Sequence, residues 1–424
     1  MKNFIFKRYS LALTGMLLLL SPGVFAKTTL NEILQYAFVA DPTLDEAKAN
    51  ISMAASQTKV SEAGHLPVVS LTGTSVLGQR HTYTSERRSG PGVAARVNLY
   101  AWGGVEAEIE RDKQKETYYH YKLTETRELM GQDISQLYLS ALRAKETLAV
   151  YKESLARHDK ILRDLGVIST YDEGRFSEVN EAQSRKNQVE TSILMQERIL
   201  QSSLNRLSRY SGGKVLSVDD LIDPFSQVTD VNAFIKRYKN PEVTSNPSYL
   251  AQQAEFESSK AAVEAAKARR LPAINLEGTA NRHEYEVYVN MSWDIYNPAT
   301  KYAQEQSYYS QKAAEAKLRE IELSVQEKSL TSEVDMVRNQ RLATVAHKQI
   351  ALQRKVVKDK EFQFEVAASS LMDLLDSYQE LSRVQIDEVN ARNDFRDAAL
   401  LYLVSQSGIT QWVGAENTTM KSKK

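Results

Sequence analysis

The 424-residue chain contains no cysteine, so disulfides, thiolate metal sites, cysteine nucleophiles and a cysteine-linked lipid anchor are all excluded. Glycine (17) and proline (9) are scarce, which disfavours a loop-rich all-β fold. Lys and Arg together number 54 and so do Asp and Glu, so the chain has no overall basic field that would hold nucleic acid. The length of 424 residues and the 42% of hydrophobic residues are typical of an ordered protein with several domains or with one elongated domain.

The N-terminus has the three regions of a secretory signal peptide. Basic residues before position 9 precede an apolar core of ten residues, Leu11–Leu20, and Val24 and Ala26 supply the residue types found before a cleavage site. An uncleaved membrane anchor is the alternative, but such an anchor needs about 20 apolar residues. We therefore predict a signal peptide at residues 1–26 and an exported protein.

The remaining chain repeats itself once. Two landmarks recur at an offset of 205 residues and two more at an offset of 196. The pairs are Asp41-Pro42 with Asn246-Pro247, Leu66-Pro67 with Leu271-Pro272, Asn98-Leu99-Tyr100 with Asp294-Ile295-Tyr296, and Tyr210-Ser211-Gly212 with Gln406-Ser407-Gly408. Constant offsets over four landmarks indicate an ancient duplication.

The duplication predicts a simple division of the mature chain. Each repeat has a helix, a β-hairpin and a pair of long helices. The predicted segments are the first repeat at 27–212 with its hairpin at about 66–100, a linker region at 213–245, the second repeat at 246–408 with its hairpin at about 272–296, and a C-terminal tail at 409–424.

The predicted hairpins alternate between apolar and polar residues. In the segment 284–295, one face carries Tyr285, Val287, Val289, Met291, Trp293 and Ile295. Lengths near ten residues suit a tilted transmembrane strand. A half-buried sheet of a soluble domain alternates in the same way, so both interpretations stay open.

Long helices are predicted between the hairpins. Residues 103–165 contain no proline, and their apolar positions recur every three and four residues as in a coiled coil. These positions are Ile134, Leu137, Ala141, Ala144, Leu148, Tyr151, Leu155, His158, Leu162 and Leu165. We expect a break at 166–174 before a helix at 177–208, and in the second repeat helices at 299–366 and 371–405. A helix of about 63 residues is ~95 Å long, so this part is a rod.

Four strands in one chain cannot close a membrane barrel, which needs about eight. Open sheet edges in lipid would leave unpaired backbone groups that cost several kcal/mol each. If the strands are transmembrane, the chain must therefore form a cyclic oligomer that shares one barrel, and three copies would supply twelve strands. Such an assembly is a tube.

This plan resembles the TolC-type outer-membrane channel proteins over essentially the whole mature chain. The resemblance also includes Val97-Asn98-Leu99-Tyr100-Ala101-Trp102-Gly103-Gly104 and Tyr171-Asp172-Glu173-Gly174-Arg175-Phe176-Ser177-Glu178-Val179. It implies a mainly α fold with a small β part, in which a homotrimer forms a helical barrel across the periplasm and a shared twelve-stranded β-barrel in the outer membrane. Residues 213–240 and the tail would form an equatorial region around the helices.

The resemblance also implies a pore entrance at the periplasmic tip. Asp373 and Asp376 look like the family's segment in which two aspartates point into the entrance, and Glu178 matches an acidic position of the first repeat. A spacing of three puts both aspartates on one helical face, and a trimer would stack two rings that select cations. Crowding of like charges should raise their pKa values. An ordinary solvated helix face is the alternative. At Ser369 the chain departs from members that carry a basic residue which helps to close the entrance.

Trp102 and Trp293 lie at or near strand ends, where they would anchor the barrel at the membrane interface or simply pack. No motif supports catalysis, because the six histidines are dispersed and neither a phosphate-binding loop nor a nucleophile elbow occurs. We therefore expect no enzyme, no cofactor and no metal site.

The function implied is a passive exit duct in the outer membrane that extends into the periplasm. An inner-membrane ABC transporter and a periplasmic adaptor would open it. Details around residues 98–112 and 171–185 look most like the branch that serves type I secretion of large adhesins or toxins. Multidrug efflux with another pump is the first alternative, and a periplasmic coiled-coil scaffold is a more distant one.

Overall fold

A computed structural model describes residues 29–77, 90–172, 175–214, 216–240, 242–282 and 284–414. The predicted signal peptide and the last ten residues of the predicted tail lie outside the described residues. Within the described part, no helix is long and apolar enough to cross a membrane.

The helices and strands follow the duplicated order expected from the sequence. The first repeat contains α1 (Leu30–Ala40), α2 (Pro42–Glu62), β1 (Val68–Thr74), β2 (Gly90–Tyr100), α3 (Gly104–Ser169) and α4 (Phe176–Ser208). The short helix α5 (Val231–Tyr238) follows. The second repeat contains α6 (Pro247–Ala268), β3 (Ala273–Asn281), β4 (Tyr285–Ser292), α7 (Pro298–Glu365) and α8 (Leu371–Ser405).

The two repeats start with the same local chemistry. Asp41 precedes α2 and accepts a hydrogen bond from the Thr43 backbone N–H at 2.9 Å, while Asn246 precedes α6 and accepts one from the Ser248 N–H at 2.9 Å. Proline occupies the first turn of both helices, where its missing N–H leaves no hydrogen bond unmade. The duplication predicted from the sequence is therefore present in the structure.

The two long helices have nearly equal lengths, 66 residues in α3 and 68 in α7, or about 100 Å each. The prediction that α3 would end before Gly166 was wrong, since the helix continues to Ser169. A glycine in a helix costs only about 1 kcal/mol relative to alanine, and the buried Leu165 and Ser169 hold this turn in the helix. The predicted heptad positions of α3 are confirmed: six of the ten are buried and four are half-buried.

The helices form a layer one helix thick. Near the sheet its order is α2–α3–α6–α7, and toward the far end it is α4–α3–α8–α7. The strands repeat this order as an antiparallel sheet, β1–β2–β3–β4, in which β2 pairs with β3 and joins the repeats. The α2/α4 side with β1 therefore forms one edge of the whole molecule, and α7 with β4 forms the other.

The register of the sheet puts most apolar side chains on one face and most polar side chains on the other, with Val68 and Ala94 among the exceptions on the polar face. Leu71 lies opposite Val93, Val97 opposite Leu276, and Leu276 opposite Val289, so all belong to one face. Val287, Val289 and Met291 on this face are 62–69% exposed. The other face carries Ser70, Thr72, Arg96, Asn98, Asn275, Glu277, Thr279, Glu286, Tyr288 and Asn290. Strand β4 ends at Ser292, earlier than the alternation to Ile295 predicted, because the chain turns there toward the α7 cap at Asn297.

The main core lies halfway along the helices, where the connecting segments pack on one side of the layer. Helix α1, residues 216–238 and helical residues 409–414 cover α3 and α8 there. The ring of Trp412 stacks on that of Phe225 with centroids 5.3 Å apart. The Glu128 carboxylate accepts the backbone N–H groups of Ile409 and Thr410 at 3.0 and 3.1 Å. We call these covering segments the equatorial segments.

Candidate pore entrance

The turn between α3 and α4 and the turn between α7 and α8 lie at the same end of the rod, which we call the tip. A second apolar cluster joins them, with Ile161 and Leu165 of α3, Ala182 of α4 and Leu374 and Leu375 of α8. The tip is therefore a packed junction of two coiled-coil pairs.

Asp373 lies in the first turn of α8 and forms a capping box with Ser370. The Ser370 hydroxyl accepts a bond from the Asp373 N–H, and the Asp373 carboxylate accepts the Ser370 N–H at 3.2 Å and the Ser370 hydroxyl at 2.8 Å. The Ser369 hydroxyl donates to the same carboxylate at 3.2 Å. These bonds, chiefly those from Ser370, lower the pKa of Asp373.

The direction of this pKa shift is opposite to the one expected from crowding. Within one chain the helix cap dominates, because hydroxyl and N–H donors stabilise the charged carboxylate and desolvation opposes them only weakly, whereas the expected crowding would arise between copies. The sequence contained the signal for this arrangement, since Ser370 and Asp373 have the spacing of a capping box. The Ser369 hydroxyl supports this cap as a further donor.

Asp376 lies on the same exposed face of α8 and meets a cation from the other helix pair. Arg185 of α4 lies 3.6 Å from the Asp376 carboxylate, measured from Nη2 to Oδ1. It also donates to the Gln379 side chain at 2.6 Å and to Glu181 at 3.1 Å. Arg185 thus connects α4 to α8 at the tip. Sequence reasoning missed it, because its spacing of four from Glu181 looks like an ordinary surface ion pair.

Glu178 lies at the start of α4, on the other side of the junction. Its carboxylate is 3.7 Å from Nε of Arg175, and its Oε2 atom is buried without a hydrogen bond. The structure therefore brings Asp373 and Asp376 together on one helix, while Glu178 faces Arg175 at the neighbouring turn.

The two tryptophans lie at the opposite end of the helices, where the sheet begins. The indole N–H of Trp102 donates to the Pro272 carbonyl at 2.7 Å, and that of Trp293 donates to the Arg270 carbonyl at 3.1 Å. Each ring remains about half exposed, at 45% and 54%. Both rings thus lie at one level, with the polar edge bound to backbone and much of the ring surface open.

In the part of the chain that the structure describes, no group of three or more His, Asp or Glu side chains is arranged to hold a metal ion. The residues singled out by the sequence thus lie in two places. Asp373, Asp376 and Glu178 are at the tip, and Trp102 and Trp293 lie where the helices meet the sheet.

Part of the chain matches a known protein family, and the chain's fold is similar to that of solved outer-membrane channels. A family model described as outer membrane efflux protein matches residues 33–213. No curated protein sequence matches the chain significantly. Among solved structures, the outer-membrane channel OprN aligns with 16% identity, 89% coverage of this chain, 90% of its own, and a TM-score of 0.75.

Two further solved structures have a similar fold. The CmeC outer-membrane channel of Campylobacter jejuni has 14% identity, covers 89% of this chain and 85% of its own, and gives a TM-score of 0.73. The outer-membrane protein VceC of Vibrio cholerae has 13% identity, coverages of 89% and 96%, and a TM-score of 0.71. The predicted mainly α fold with a small β part is thus confirmed, and residues 33–213 are similar to the outer membrane efflux protein family.

Proposed function

We propose that three copies of this chain form a passive exit duct in the outer membrane for a tripartite export system. The observation that carries this proposal is the sheet: four strands with one wholly apolar, exposed face, a polar opposite face and two unpaired edges. An apolar face of this kind suits lipid, and the polar face suits a water-filled bore.

The edges supply the argument for a closed ring. In the sheet and in the helical layer alike, α2/α4 with β1 form one edge and α7 with β4 form the other, so the first edge of one copy would meet the second edge of the next. Because the two edges differ, repeated pairing would be head-to-tail, and such pairing forms a ring when the rotation between copies closes. Three copies give twelve strands, above the minimum of about eight.

The distribution of apolar side chains on α7 supports this ring. Leu323, Leu330, Leu342, Val345 and Leu352 are 57–66% exposed in a single copy. Exposed apolar side chains that recur along a helix are suited to packing against another chain. A neighbouring copy would cover them and complete a helical barrel.

At the tip, threefold symmetry would bring three copies of Asp373, Asp376 and Glu178 around the entrance. The bond network of Arg185 to Glu181, Asp376 and Gln379 would hold α4 against α8 in the state described. A periplasmic adaptor that docks at the tip would separate the α3/α4 helix pair from the α7/α8 helix pair. Energy must come from an inner-membrane transporter, since the sequence has no phosphate-binding loop.

For the cargo, our first candidate is a large protein of the type I secretion class, from the sequence resemblance around residues 98–112 and 171–185. The second candidate is small-molecule efflux, which the description of the matched family favours. Deletion of the gene separates them. Loss of one secreted protein with unchanged drug sensitivity supports secretion, and increased drug sensitivity with normal secretion supports efflux.

The duct itself is tested with a matched pair of variants on β4. Val289→Arg puts a charge on the apolar face, at a cost of about 2–4 kcal/mol near the middle of a bilayer, whereas Asn290→Arg puts the same charge on the polar face. We expect heat-stable trimers in outer-membrane fractions for the wild type and Asn290→Arg, and a loss of trimers for Val289→Arg. Equal trimer yields for both variants, or a wild type that is monomeric without detergent, would favour the periplasmic scaffold.

A further inference from the structure

Helix α8 carries one continuous line of polar residues with heptad spacing, beginning at the tip. The line consists of Asp373, Asp376, Glu380, Arg383, Asp387, Asn390, Asp394 and Asp397. All eight are exposed or half-exposed, and six are acidic. At 1.5 Å per residue the line is about 36 Å long, so it extends far beyond the two aspartates of the entrance.

The duplicated partner of this line is not acidic. The equivalent residues of α4, at the offset of 196, are Ser177, Asn180, Ser184, Asn187, Thr191, Leu194, Arg198 and Gln201. All eight are exposed as well. Solvent exposure alone therefore does not account for the acids, because the same exposed line has no carboxylate in the first repeat.

The surroundings of α8 indicate which way this line faces. Its flanks pack against α3 and α7, and a third side binds the equatorial segments through Arg396, whose Nη2 is 2.9 Å from the Asp223 Oδ2, and through Tyr402, whose hydroxyl donates to the Ile235 carbonyl at 3.0 Å. The acidic line occupies the remaining side. In a ring of three copies the equatorial segments must lie outside, since they would otherwise fill the bore, so the acidic line faces inward.

One residue of α3 reaches across to this line. The Nη2 atom of Arg143 lies 2.6 Å from Oδ1 of Asp394 and 3.0 Å from Oδ2 of Asp397. A single guanidinium group thus binds both carboxylates at the end of the line farthest from the tip. The duplicated position on α7 is Asn339, which has no charge.

We propose that Arg143 is a specificity-determining residue of the bore: it sets how strongly the wall of α8 attracts cations and cationic segments of cargo beyond the entrance. The proposal rests on the proposed duct. Fixed charges that line a narrow path determine which ions enter it, and an arginine bound to two carboxylates reduces their field within a Debye length of about 8–10 Å.

The experiment is the reversal potential of purified trimers in a planar bilayer under a KCl gradient. We expect Arg143→Gln to raise the permeability ratio of K⁺ to Cl⁻ roughly twofold, because two carboxylates lose their counter-charge. Arg143→Lys should keep the wild-type ratio. The double change Asp394→Asn with Asp397→Asn should lower the ratio.

Lys348→Gln is the matched control. It removes the same charge from an exposed residue of α7 that lines the cavity beside Asp223 and Phe225, on the equatorial side. We expect no change in its reversal potential. Heat-stable trimer bands verify that each variant assembles.

The outcomes separate the two proposals. A wild type that inserts but does not conduct overturns the duct. A conducting wild type whose reversal potential is unchanged in Arg143→Gln overturns the role of Arg143. An equal shift in Lys348→Gln also overturns it, because the effect would then follow total charge and not position on the wall.

Discussion

The two longest helices are copies of one ancestral element, yet their surroundings differ. Helix α3 has nineteen buried residues along its 66, whereas α7 has only Ser332, Met336 and Val357 buried along its 68. The contrast is clearest when the exposed fractions of side chains at equivalent positions, 196 residues apart, are compared. Ile134 is 0% exposed and its counterpart Leu330 is 65% exposed, while Tyr138 and Val334 are 1% and 50% exposed.

The difference comes from position in the layer and not from hydrophobicity. Helix α3 has a helix on each flank along its length, and the equatorial segments cover it as well. Helix α7 is the edge of the layer and has a neighbour on one flank only. Duplication thus produced one helix that stabilises the protomer and another whose apolar residues remain exposed in a single copy.

The largest effect on stability or assembly should come from placing a carboxylate at Ile134 or at its equivalent, Leu330. Ile134→Asp buries an unpaired charge in the main core and should cost about 4 kcal/mol or more of protomer stability. Leu330→Asp should change protomer stability by less than about 0.5 kcal/mol but abolish the trimer. Urea unfolding in detergent measures the first quantity and heat-stable trimer bands the second. Similar unfolding midpoints for the two variants would contradict the comparison.

The next effect concerns a buried charge that only the second repeat contains. Arg396 is 1% exposed and binds Glu146 of α3 at 2.8 and 2.9 Å and Asp223 at 2.9 Å, while its counterpart in the first repeat is the buried Leu200. Arg396→Ala removes the guanidinium group that Glu146 and Asp223 share and should cost about 3–5 kcal/mol.

The double variant Arg396→Leu with Glu146→Gln is the control for that change. It removes Arg396 together with the Glu146 charge and gives α8 the leucine that α4 has at this position, while Asp223 remains, so it should recover part of the lost stability in urea unfolding. If the double variant is less stable than Arg396→Ala, the buried pair is not the cause.

A smaller effect is expected at Tyr138. Its hydroxyl accepts the Ile222 N–H at 2.7 Å and donates to the Ile222 carbonyl at 3.0 Å, and burial raises its pKa to about 12. Tyr138→Phe leaves that N–H without an acceptor, at a cost of about 1–3 kcal/mol. Hydrogen exchange should then accelerate at residues 220–225 but not along α7. Uniform acceleration would mean a global loss of stability instead.

The smallest effect is a pH dependence near the tip. Burial lowers the pKa of His158, whose Nδ1 lies 2.9 Å from the Ser154 carbonyl; its counterpart on α7 is the exposed Arg354. The unfolded chain therefore binds a proton more readily than the folded one. The stability from a neutral His158 is complete above about pH 6.5 and is lost as the pH falls below that value. Unfolding midpoints from pH 8 to 5 should fall less in His158→Gln than in the wild type, and parallel curves would contradict this prediction.

Much of the architecture followed from local patterns in the chain. The proline-started helices, the alternating strands and the heptads of α3 were predicted within a few residues. At the tip, the shared face of Asp373 and Asp376 also followed from their spacing. Arg185 did not, because its contacts with Asp376 and Gln379 join helices about 190 residues apart in the sequence.

The sequence by itself determined where helices and strands form and which side chains share a face, since the spacing of apolar residues along a helix or strand sets those faces directly. Only the tertiary structure decided which of the faces are covered. Leu330 of α7 occupies the position equivalent to Ile134 of α3. Leu330 is exposed and Ile134 is buried, because burial depends on which distant segments pack alongside each helix. The same reason decided that the line of α8 from Asp373 to Asp397 and the apolar face of the sheet remain open within one copy.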